Sequence, residues 1–408
     1  MNRAEFLELL LNLENSGVEF KRDDVSNADV ARELVAFLNL NGGVLLLGVE
    51  DDGSVSGVTR DNLEEWVAEL CRSKIDPPIV PFMEWQTDVE SGQRVLCINV
   101  PIGPDKPYAR VHNQRNTYFI RVGSTCRVAS REELERMFQA SGHLRYGLKP
   151  IPGASIEDLD PRRLRDYFSR FFGMDPLEYE DLGHWERLLC NLELATESAG
   201  RIAATIDGMI LFGLNPSRFL PQSGIRAICY LGPEPDYPTR ADLDIKGPLV
   251  PLGNRYDSML EPGIVDLAWD FIRRNTNPSS RLRGPERIDL WEYPEEVVRE
   301  AIVNALVHRD YSITGTDVTL LIFSDRLEIQ SPGRLPNTVT VDGLKSGMRY
   351  ARNQSLVNVL RDYGYVDARG MGVRNKIIPG MRRHNGTTPE FIEEENRFTV
   401  RLWKEAAQ

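Results

Sequence analysis

The sequence predicts a multidomain protein of mixed α+β and α/β structure. The chain has 408 residues, whereas single domains usually hold about 100–200 residues, so two or three domains are expected. Stretches with apolar residues at helical spacing alternate with short stretches typical of strands. Prolines and glycines gather near residues 147–155, which is typical of a linker. The predicted parts are an N-terminal lobe (1–130), a capped helix and linker (131–155), an α/β scaffold domain (156–265) and a third α/β domain (266–408).

Composition and charge exclude several classes of protein. Hydrophobic residues make up 41% and charged residues 27%, which is ordinary for a globular chain and excludes a mainly disordered or fibrous one. The net charge of −12 excludes a wholly basic nucleic-acid-binding sleeve but not a local basic groove. No apolar stretch reaches the ~20 residues needed to span a bilayer. We therefore expect a cytoplasmic protein that does not bind membranes.

The five cysteines predict neither a zinc site nor a disulfide framework. They are widely spaced, odd in number and without a CxxC pair. Such cysteines are typical of buried or half-buried thiols in a reducing compartment.

The N-terminal elements follow one another in a clear order. RAEFLELLLNL has helical spacing, and VEFKRD alternates with the period of a strand. Asp29 to Leu40 forms an amphipathic pattern that ends at Asn41-Gly42-Gly43, where positive φ is tolerated. VLLLGV is a continuous apolar run and predicts a strand buried on both faces.

Acidic residues and one lysine gather around these elements. Glu14 ends the first helix, and Glu19 and Lys21 share the polar face of the next strand. Asp51 and Asp52 follow the buried strand, at the strand end where α/β folds place their sites. Carboxylates brought together would favour Mg²⁺ or Mn²⁺, which could activate water for attack on a phosphodiester, with Lys21 polarising the water or holding a phosphate. The alternative is a solvated strand face and hairpin tip.

A second segment favours nucleic acid as partner. Between residues 106 and 127 basic residues occur without any Asp or Glu and alternate with aromatic residues, which could stack on bases. The alternative is a charged outer face that balances an acidic domain. The predicted nucleic-acid-binding residues are Lys106, Arg110, Arg115, Tyr118, Arg121 and Arg127.

These N-terminal motifs resemble a known family. LENSGVEFKRD, ELVAFLNLNGGVLLLGVEDDG and TYFIRVGSTCRVAS resemble the Schlafen AlbA-2 domain over residues 1 to about 135. Nuclease-active members carry two glutamates five residues apart and a later aspartate. Glu14 and Glu19 match that pair, and Asp51 matches the aspartate, with Asp52 as an alternative. The resemblance implies metal-dependent cleavage of structured RNA such as tRNA, whereas other members are described as DNA-binding or regulatory.

The remaining chain divides into scaffold and a candidate pocket. The middle part begins with a helix at Pro161, carries apolar strands and shows no catalytic spacing. A helix beginning near Pro294 places Glu300, Asn304 and His308 in one row, because residues four apart share a helix face. Two strands and a loop follow this helix, and a Gly-x-Gly pair comes later. Glycines at a helix start can admit phosphates close to the backbone. The glycines are Gly333, Gly370 and Gly372.

REAIVNALVHRDY and SPGRLP resemble the divergent GHKL-type ATPase domain that is often found after an AlbA-2 domain. The resemblance covers about residues 290–403 and implies an α/β sandwich that binds ATP. It assigns water activation to Glu300, Mg²⁺ binding to Asn304, and nucleotide-loop roles to Gly333, Gly370 and Gly372. One departure is Ser331, which stands where such ATPases place the Asp that reads the adenine amine. A Walker sequence is absent, so no helicase motor is implied.

Two functions compete at this point. The first is a metal-dependent endoribonuclease that acts on structured RNA such as tRNA and is regulated by nucleotide binding in the C-terminal domain. The second is a non-catalytic DNA- or RNA-binding transcriptional regulator with an ATP-binding-like domain. We also expect a homodimer, because family members with two lobes suggest that one lobe offers only half of a clamp. A two-fold axis would double the basic segment between residues 106 and 127, here called the basic rim.

Overall fold

In the computed structural model the chain divides into an N-terminal unit, Met1–Leu144, and a C-terminal unit, Arg145–Gln408. Both units contain helices and sheets, which confirms the predicted mixed α/β multidomain class. None of the described helices is long and apolar enough to cross a membrane. The structure describes residues 3–87, 92–142, 144–174, 182–253, 258–277, 279–283, 286–336, 339–348, 350–366, 372–394 and 396–404.

The N-terminal unit alternates helices and strands in the predicted order. Its helices are α1 (Arg3–Asn12), α2 (Asn27–Asn39), α3 (Leu63–Lys74) and α4 (Arg131–Ala140). Its strands are β1 (Val18–Lys21), β2 (Gly43–Leu47), β3 (Ile75–Asp76), β4 (Phe82–Thr87), β5 (Arg94–Val100), β6 (Ala109–His112), β7 (Arg115–Thr117), β8 (Phe119–Val122) and β9 (Thr125–Val128).

A sheet of order β1-β2-β5-β4 organises this unit, with β1 parallel to β2 and the other pairs antiparallel. Strand β2 is buried on both faces, as its continuous apolar run predicts. Leu45 and Leu47 pack in the cluster that contains the apolar face of α2. Leu46 lies in a second cluster with Phe6 of α1 and Phe20 of β1. Strand β1, which carries Glu19 and Lys21, is the edge strand of this sheet and pairs along its length with β2.

The C-terminal unit has a longer series of elements. Its helices are α5 (Pro161–Phe172), α6 (Leu182–Asn191), α7 (Ile206–Phe212), α8 (Pro216–Phe219), α9 (Ile264–Asn275), α10 (Glu295–Val307), α11 (Val341–Ser346), α12 (Gln354–Asp362) and α13 (Ile378–Asn385), with a π turn at Val373–Ile377. Its strands are β10 (Ala195–Ser198), β11 (Arg201–Ala204), β12 (Ile225–Cys229), β13 (Ala241–Ile245), β14 (Leu252–Gly253), β15 (Met259–Glu261), β16 (Ser279–Arg283), β17 (Glu286–Leu290), β18 (Val318–Ile322), β19 (Arg326–Pro332), β20 (Glu390–Glu394) and β21 (Arg397–Trp403).

The predicted boundary between residues 265 and 266 does not separate two units. A single sheet of order β13-β12-β18-β19-β21-β20 includes strands from both predicted parts. Strand β12 pairs in parallel with β18, from Ile225 opposite Val318 to Cys229 opposite Ile322. One continuous core lies against this sheet and includes residues of α7, α9 and α10. The middle part therefore belongs to the C-terminal unit, to which it contributes both strands of the sheet and helices of the core.

The predicted capped helix is confirmed, but the linker prediction needs correction. Ser130 and Glu133 form the capping box of α4, and the helix ends at Ala140. The segment after it is folded into the C-terminal unit, because the Ile151 amide donates to the carbonyl of Ala204 at 3.1 Å and the Ile151 side chain is buried. Two prolines and two glycines here shape short turns.

The five cysteines are buried or half-buried thiols, as their number and spacing predict. Cys71, Cys97 and Cys229 are buried free thiols, and Cys126 and Cys190 are half-buried free thiols. Burial raises the pKa of Cys71 and of Cys97 to about 12, so these thiols stay protonated and unreactive at neutral pH.

Candidate functional site

The acidic residues of β1 and of the turn before it surround Lys21. Glu14 Oε1 accepts a hydrogen bond from the Phe20 amide at 2.9 Å and lies 3.9 Å from Lys21 Nζ. Lys21 donates to Glu19 Oε1 and to the carbonyl of Phe20. Glu19 is only 4% exposed, so the face that the strand pattern marks as polar is closed rather than solvated. Glu14, Glu19 and Lys21 thus form one cluster, as the sequence predicts.

Arg121 completes this cluster from strand β8 in a way that the sequence does not predict. Its guanidinium donates to Glu19 Oε2 at 2.6 Å and to Glu33 Oε2 at 3.1 Å, and its side chain is fully buried. The same group donates to the carbonyls of Asn15 and Val18. Burial raises the pKa of Glu19 in spite of these hydrogen bonds. The negative charge of both glutamates is therefore compensated from inside the protein.

The predicted metal site is not assembled in this structure. Asp51 and Asp52 lie in an exposed turn, and Asp52 Oδ1 accepts hydrogen bonds from the hydroxyl and the amide of Ser54, which lower the pKa of Asp52. Within the described ranges, no group of three or more His, Cys, Asp or Glu could hold a metal ion. In this structure Glu19 is paired with Lys21 and Arg121, and the two aspartates do not contact it.

The predicted basic rim also changes its character. Arg121 is wrong as an exposed phosphate contact, because it is buried between two glutamates. Arg127 is bound by both oxygens of Glu133 at 2.7 and 2.9 Å. Lys106 donates to the carbonyl of Leu40.

The other predicted rim residues contact neighbouring side chains or solvent. Arg110 is half-buried over the ring of Phe119, and Tyr118 packs edge-on against Phe138. Arg115 is exposed to solvent. Of the five cations, Arg115 therefore keeps the most open position for a phosphate among the described residues.

The C-terminal unit contains a cavity of about 380 Å³ between α10, β19, α11 and the π turn. This volume lies within the range of small-molecule sites. Five of the six residues predicted for nucleotide binding line it; Gly370 lies outside the described residues. The five are Glu300, Asn304, His308, Gly333 and Gly372.

Glu300 is the most constrained residue of this cavity. It is 5% exposed, accepts a hydrogen bond from Asn304 Nδ2 at 3.3 Å, and forms an ion pair with Lys376 Nζ at 3.2 Å. A Cβ atom on Gly372 would lie 1.7 Å from Glu300 Oε1. Gly372 is therefore required for close approach of the backbone, as at nucleotide loops, although here the neighbour it admits is Glu300 itself.

The rim of the cavity carries further polar groups. Burial lowers the pKa of His308 to about 4, so the imidazole is neutral at neutral pH, and its Nδ1 atom has no hydrogen-bond partner among the described residues. Ser331 is buried and donates to the carbonyl of Ala305 at 2.7 Å. Gly333 adopts a φ of +105°, a conformation that other residues rarely adopt.

Sequence reasoning missed three cations around this cavity. Arg334 and Arg361 line it, and Lys376 contacts its glutamate. Lys376 follows Gly372 by four residues, so helical spacing could have placed both on one face. Arg334 could have been found as the residue that directly follows the loop glycine Gly333.

Comparison with known proteins confirms both resemblances. Residues 14–130 match the family model described as "Schlafen, AlbA_2". Residues 315–402 match the model described as "Putative ATP-dependent DNA helicase recG C-terminal". The chain thus carries an AlbA_2 domain followed by an ATPase-like domain. Together, the two matches indicate a protein related to nucleic acid. No curated protein matches the chain.

Two solved structures are similar to the chain. The DIP2311 protein of Corynebacterium diphtheriae is 22% identical with a TM-score of 0.46, and the match covers 95% of this chain and 75% of that one. The N-terminal domain of a "Putative ATP-dependent DNA Helicase RecG-related Protein" from Nitrosomonas europaea is 27% identical with a TM-score of 0.24. That match covers 32% of this chain and 94% of the domain.

Proposed function

We propose that this chain is a nucleotide-binding protein of nucleic-acid metabolism, whose C-terminal cavity binds a purine nucleoside triphosphate. The observation that carries the proposal is the convergence of Glu300, Asn304, His308, Gly333 and Gly372 on one cavity of about 380 Å³. Glu300, Asn304 and His308 come from α10 and its C-terminal end, Gly333 follows β19, and Gly372 precedes the π turn. Their meeting at one cavity supports the roles that the resemblance to GHKL-type ATPases implies.

The lining of the cavity suits the two halves of a nucleotide. Apolar side chains can cover a base, and cations and a glycine with positive φ can receive phosphates. Lys376, Arg334 and Arg361 are the candidate phosphate contacts. The apolar side chains that line the cavity include Ile329, Val339, Leu344, Val357 and Ile377.

Asn304 fits the role of a Mg²⁺ ligand beside a bound triphosphate. Its amide nitrogen donates to Glu300, which leaves the amide oxygen for a cation. Mg²⁺ usually takes few protein ligands and completes its shell with phosphate oxygens and water. The cation would neutralise phosphate charge, while Glu300 would hold a water beside it.

Ser331 predicts weak discrimination between bases. Its hydroxyl proton is committed to the Ala305 carbonyl, so the oxygen can accept one hydrogen bond but carries no negative charge. A neutral acceptor binds the adenine amine less strongly than a carboxylate does. We therefore expect ATP and GTP to bind with similar affinity.

The test is calorimetric titration of the full chain with ATP and Mg²⁺, combined with thermal unfolding. Ligand at about 100 times Kd should stabilise the protein by about 2.7 kcal/mol. Asn304→Ala should abolish the shift, whereas Asn191→Ala, at the exposed end of α6, should preserve it. No heat of binding and no shift with millimolar ATP, ADP or GTP would reject the proposal.

A second candidate function is metal-dependent cleavage of structured RNA such as tRNA. The observation that favours it is Lys21 placed between Glu14 and Glu19. Purified protein should be incubated with tRNA, rRNA and DNA in Mg²⁺, in Mn²⁺ and in EDTA. Cleavage that EDTA and Glu14→Gln both abolish would support it. Intact RNA under every metal would leave the alternative of a non-catalytic nucleic-acid-binding regulator.

We also retain the homodimer as a proposal, since a second AlbA_2 domain would double the surface offered to nucleic acid. Light scattering at micromolar concentration, with and without RNA, tests it. A monomer under both conditions would reject it.

A further inference from the structure

A second concavity of the C-terminal unit, here called the basic groove, has a volume of about 440 Å³. Half of the residues that line it are cations, and none is acidic. They come from α11, the π turn, α13 and the segment before β20. The lining residues are Lys345, Arg374, Ile378, Arg382, Thr388 and Pro389.

The three cations of the basic groove have only weak internal partners. Lys345 Nζ lies 3.9 Å from Asp342, whose own side chain is 97% exposed. Arg374 donates to the carbonyl of Ser346 at 3.0 Å, and Arg382 donates to the Thr388 hydroxyl at 3.4 Å. Among the described residues, neither arginine forms an ion pair with a carboxylate.

This pattern differs from that of other cations in the same unit. Arg145 is held by both oxygens of Glu193 at 2.5 Å, and Arg401 binds Glu328 and Glu390 at 2.8 and 2.9 Å. In a chain of net charge −12, three cations line one groove, and Asp342, 3.9 Å from Lys345, is the one carboxylate paired with any of them among the described residues, so the cations repel one another. An anionic ligand would relieve that repulsion.

We propose that the basic groove binds the phosphodiester backbone of nucleic acid. Arg374 and Arg382 lie eight residues apart on the continuous helical segment formed by the π turn and α13, and Lys345 projects from α11. The three cations can therefore meet successive phosphates of a strand rather than enclose one small anion. Arg383 is exposed beside Arg382 on α13 and would extend the same track. The Thr388 hydroxyl adds a neutral polar group of the kind that positions a phosphate chain.

The basic groove shares a wall with the nucleotide cavity. Leu344 lines the cavity and Lys345 lines the groove, and the same alternation holds for Val373 and Arg374 in the π turn. The hydrogen bond from Arg374 to Ser346 ties these two wall segments together. A nucleotide in the cavity should therefore change nucleic-acid affinity at the groove; this coupling rests on the proposed function, whereas the groove itself does not.

The test is fluorescence anisotropy of the full chain with a labelled 20-nucleotide RNA and a 20-base-pair DNA over a salt series. The triple variant Lys345→Gln, Arg374→Gln, Arg382→Gln should bind at least tenfold more weakly at 0.1 M salt. The slope of log K against log salt should fall by about 2 to 3, the loss expected for three phosphate contacts.

A matched control removes three exposed cations elsewhere in the unit: Arg201→Gln, Arg218→Gln and Arg273→Gln. It has the same net charge as the groove variant, so long-range attraction changes equally. The control should keep the wild-type slope. A charge-preserving variant, Lys345→Arg, Arg374→Lys, Arg382→Lys, should also keep the slope, which separates lost contacts from lost folding.

Three results would overturn the groove proposal. The first is that the wild type binds neither nucleic acid, and the second is that the groove and control variants bind alike. The third is that inorganic phosphate below 1 mM competes fully, which would indicate a small-anion site. ATP tests the coupling separately. Unchanged affinity on adding ATP to protein that calorimetry shows to bind it would remove the coupling and leave the groove proposal standing.

Discussion

Glu19 in the N-terminal unit and Glu300 in the C-terminal unit are buried to nearly the same degree, 4% and 5% exposed, and each is paired with a lysine. Their surroundings differ in which group binds the carboxylate oxygen that does not contact the lysine. Glu19 is held there by the fully buried Arg121, so its environment is closed. Besides its lysine, Glu300 receives only the amide of Asn304 among the residues that the structure describes, and it borders a cavity of about 380 Å³.

The comparison teaches that a buried carboxylate beside a lysine is not in itself a functional site. In the closed network of Glu19, Lys21, Glu33 and Arg121, each charged side chain is paired with another one. These ion pairs connect β1, α2 and β8 and stabilise their packing. In the open cavity the same types of residue have space beside them for a ligand. A substitution should therefore affect stability in the first region and ligand binding in the second.

The largest expected effect is on the closed network. Arg121→Met leaves Glu19 and Glu33 buried without their shared cation, and removing one partner of a buried ion pair costs about 3–5 kcal/mol. Urea unfolding should show this loss. The exposed Arg115→Met serves as control and should change the free energy of unfolding by less than about 0.5 kcal/mol. A stable Arg121→Met protein that has lost RNA binding would make Arg121 a phosphate contact after all.

An intermediate effect is expected at the open cavity. Lys376→Gln should weaken ATP binding about tenfold and AMP binding much less, because the lysine is proposed to contact the outer phosphates. Lys246→Gln is a matched control, since Lys246 pairs with Asp317 at the same 3.2 Å distance but lies outside the cavity. Equal loss of ATP and AMP affinity would show that Lys376 only supports Glu300.

The smallest effect concerns pH. Burial lowers the pKa of His308 to about 4, below its ordinary value of 6.5. The unfolded chain therefore binds the proton first, and His308 contributes stability above pH 6.5 that is lost as pH falls toward 4. His308→Gln should reduce the loss of stability between pH 6.5 and pH 5 by about 1 to 2 kcal/mol. His112→Gln, at an exposed strand position, should not. Identical pH profiles for both variants would show that His308 is solvated.

Local patterns predicted much of the fold. The capping box of α4, the doubly buried β2 and the row of Glu300, Asn304 and His308 on α10 all depend on spacing within one element. Gly372 lies beside this row, and its lack of a side chain allows the backbone to approach Glu300 closely.

Long-range pairings could not be predicted in the same way. No local sequence pattern shows that β12 lies beside β18. The sequence therefore predicted two domains where the structure has one unit. Arg121 is instructive, since it lies two residues after Phe119 on the same face of β8 and both are buried. The period of the strand placed it on the inner face, but its charge suggested the outer one, and only the positions of Glu19 and Glu33 explain its burial.

Hydrogen exchange with mass spectrometry, measured with and without ATP and Mg²⁺, tests the central claim most directly, because it follows both regions in one experiment. We expect slower exchange in α10, α11 and the segment from the π turn through α13, with no change in β1, β2 and β8. Slower exchange confined to β1, β2 and β8, or no change in either unit at saturating nucleotide, would contradict it.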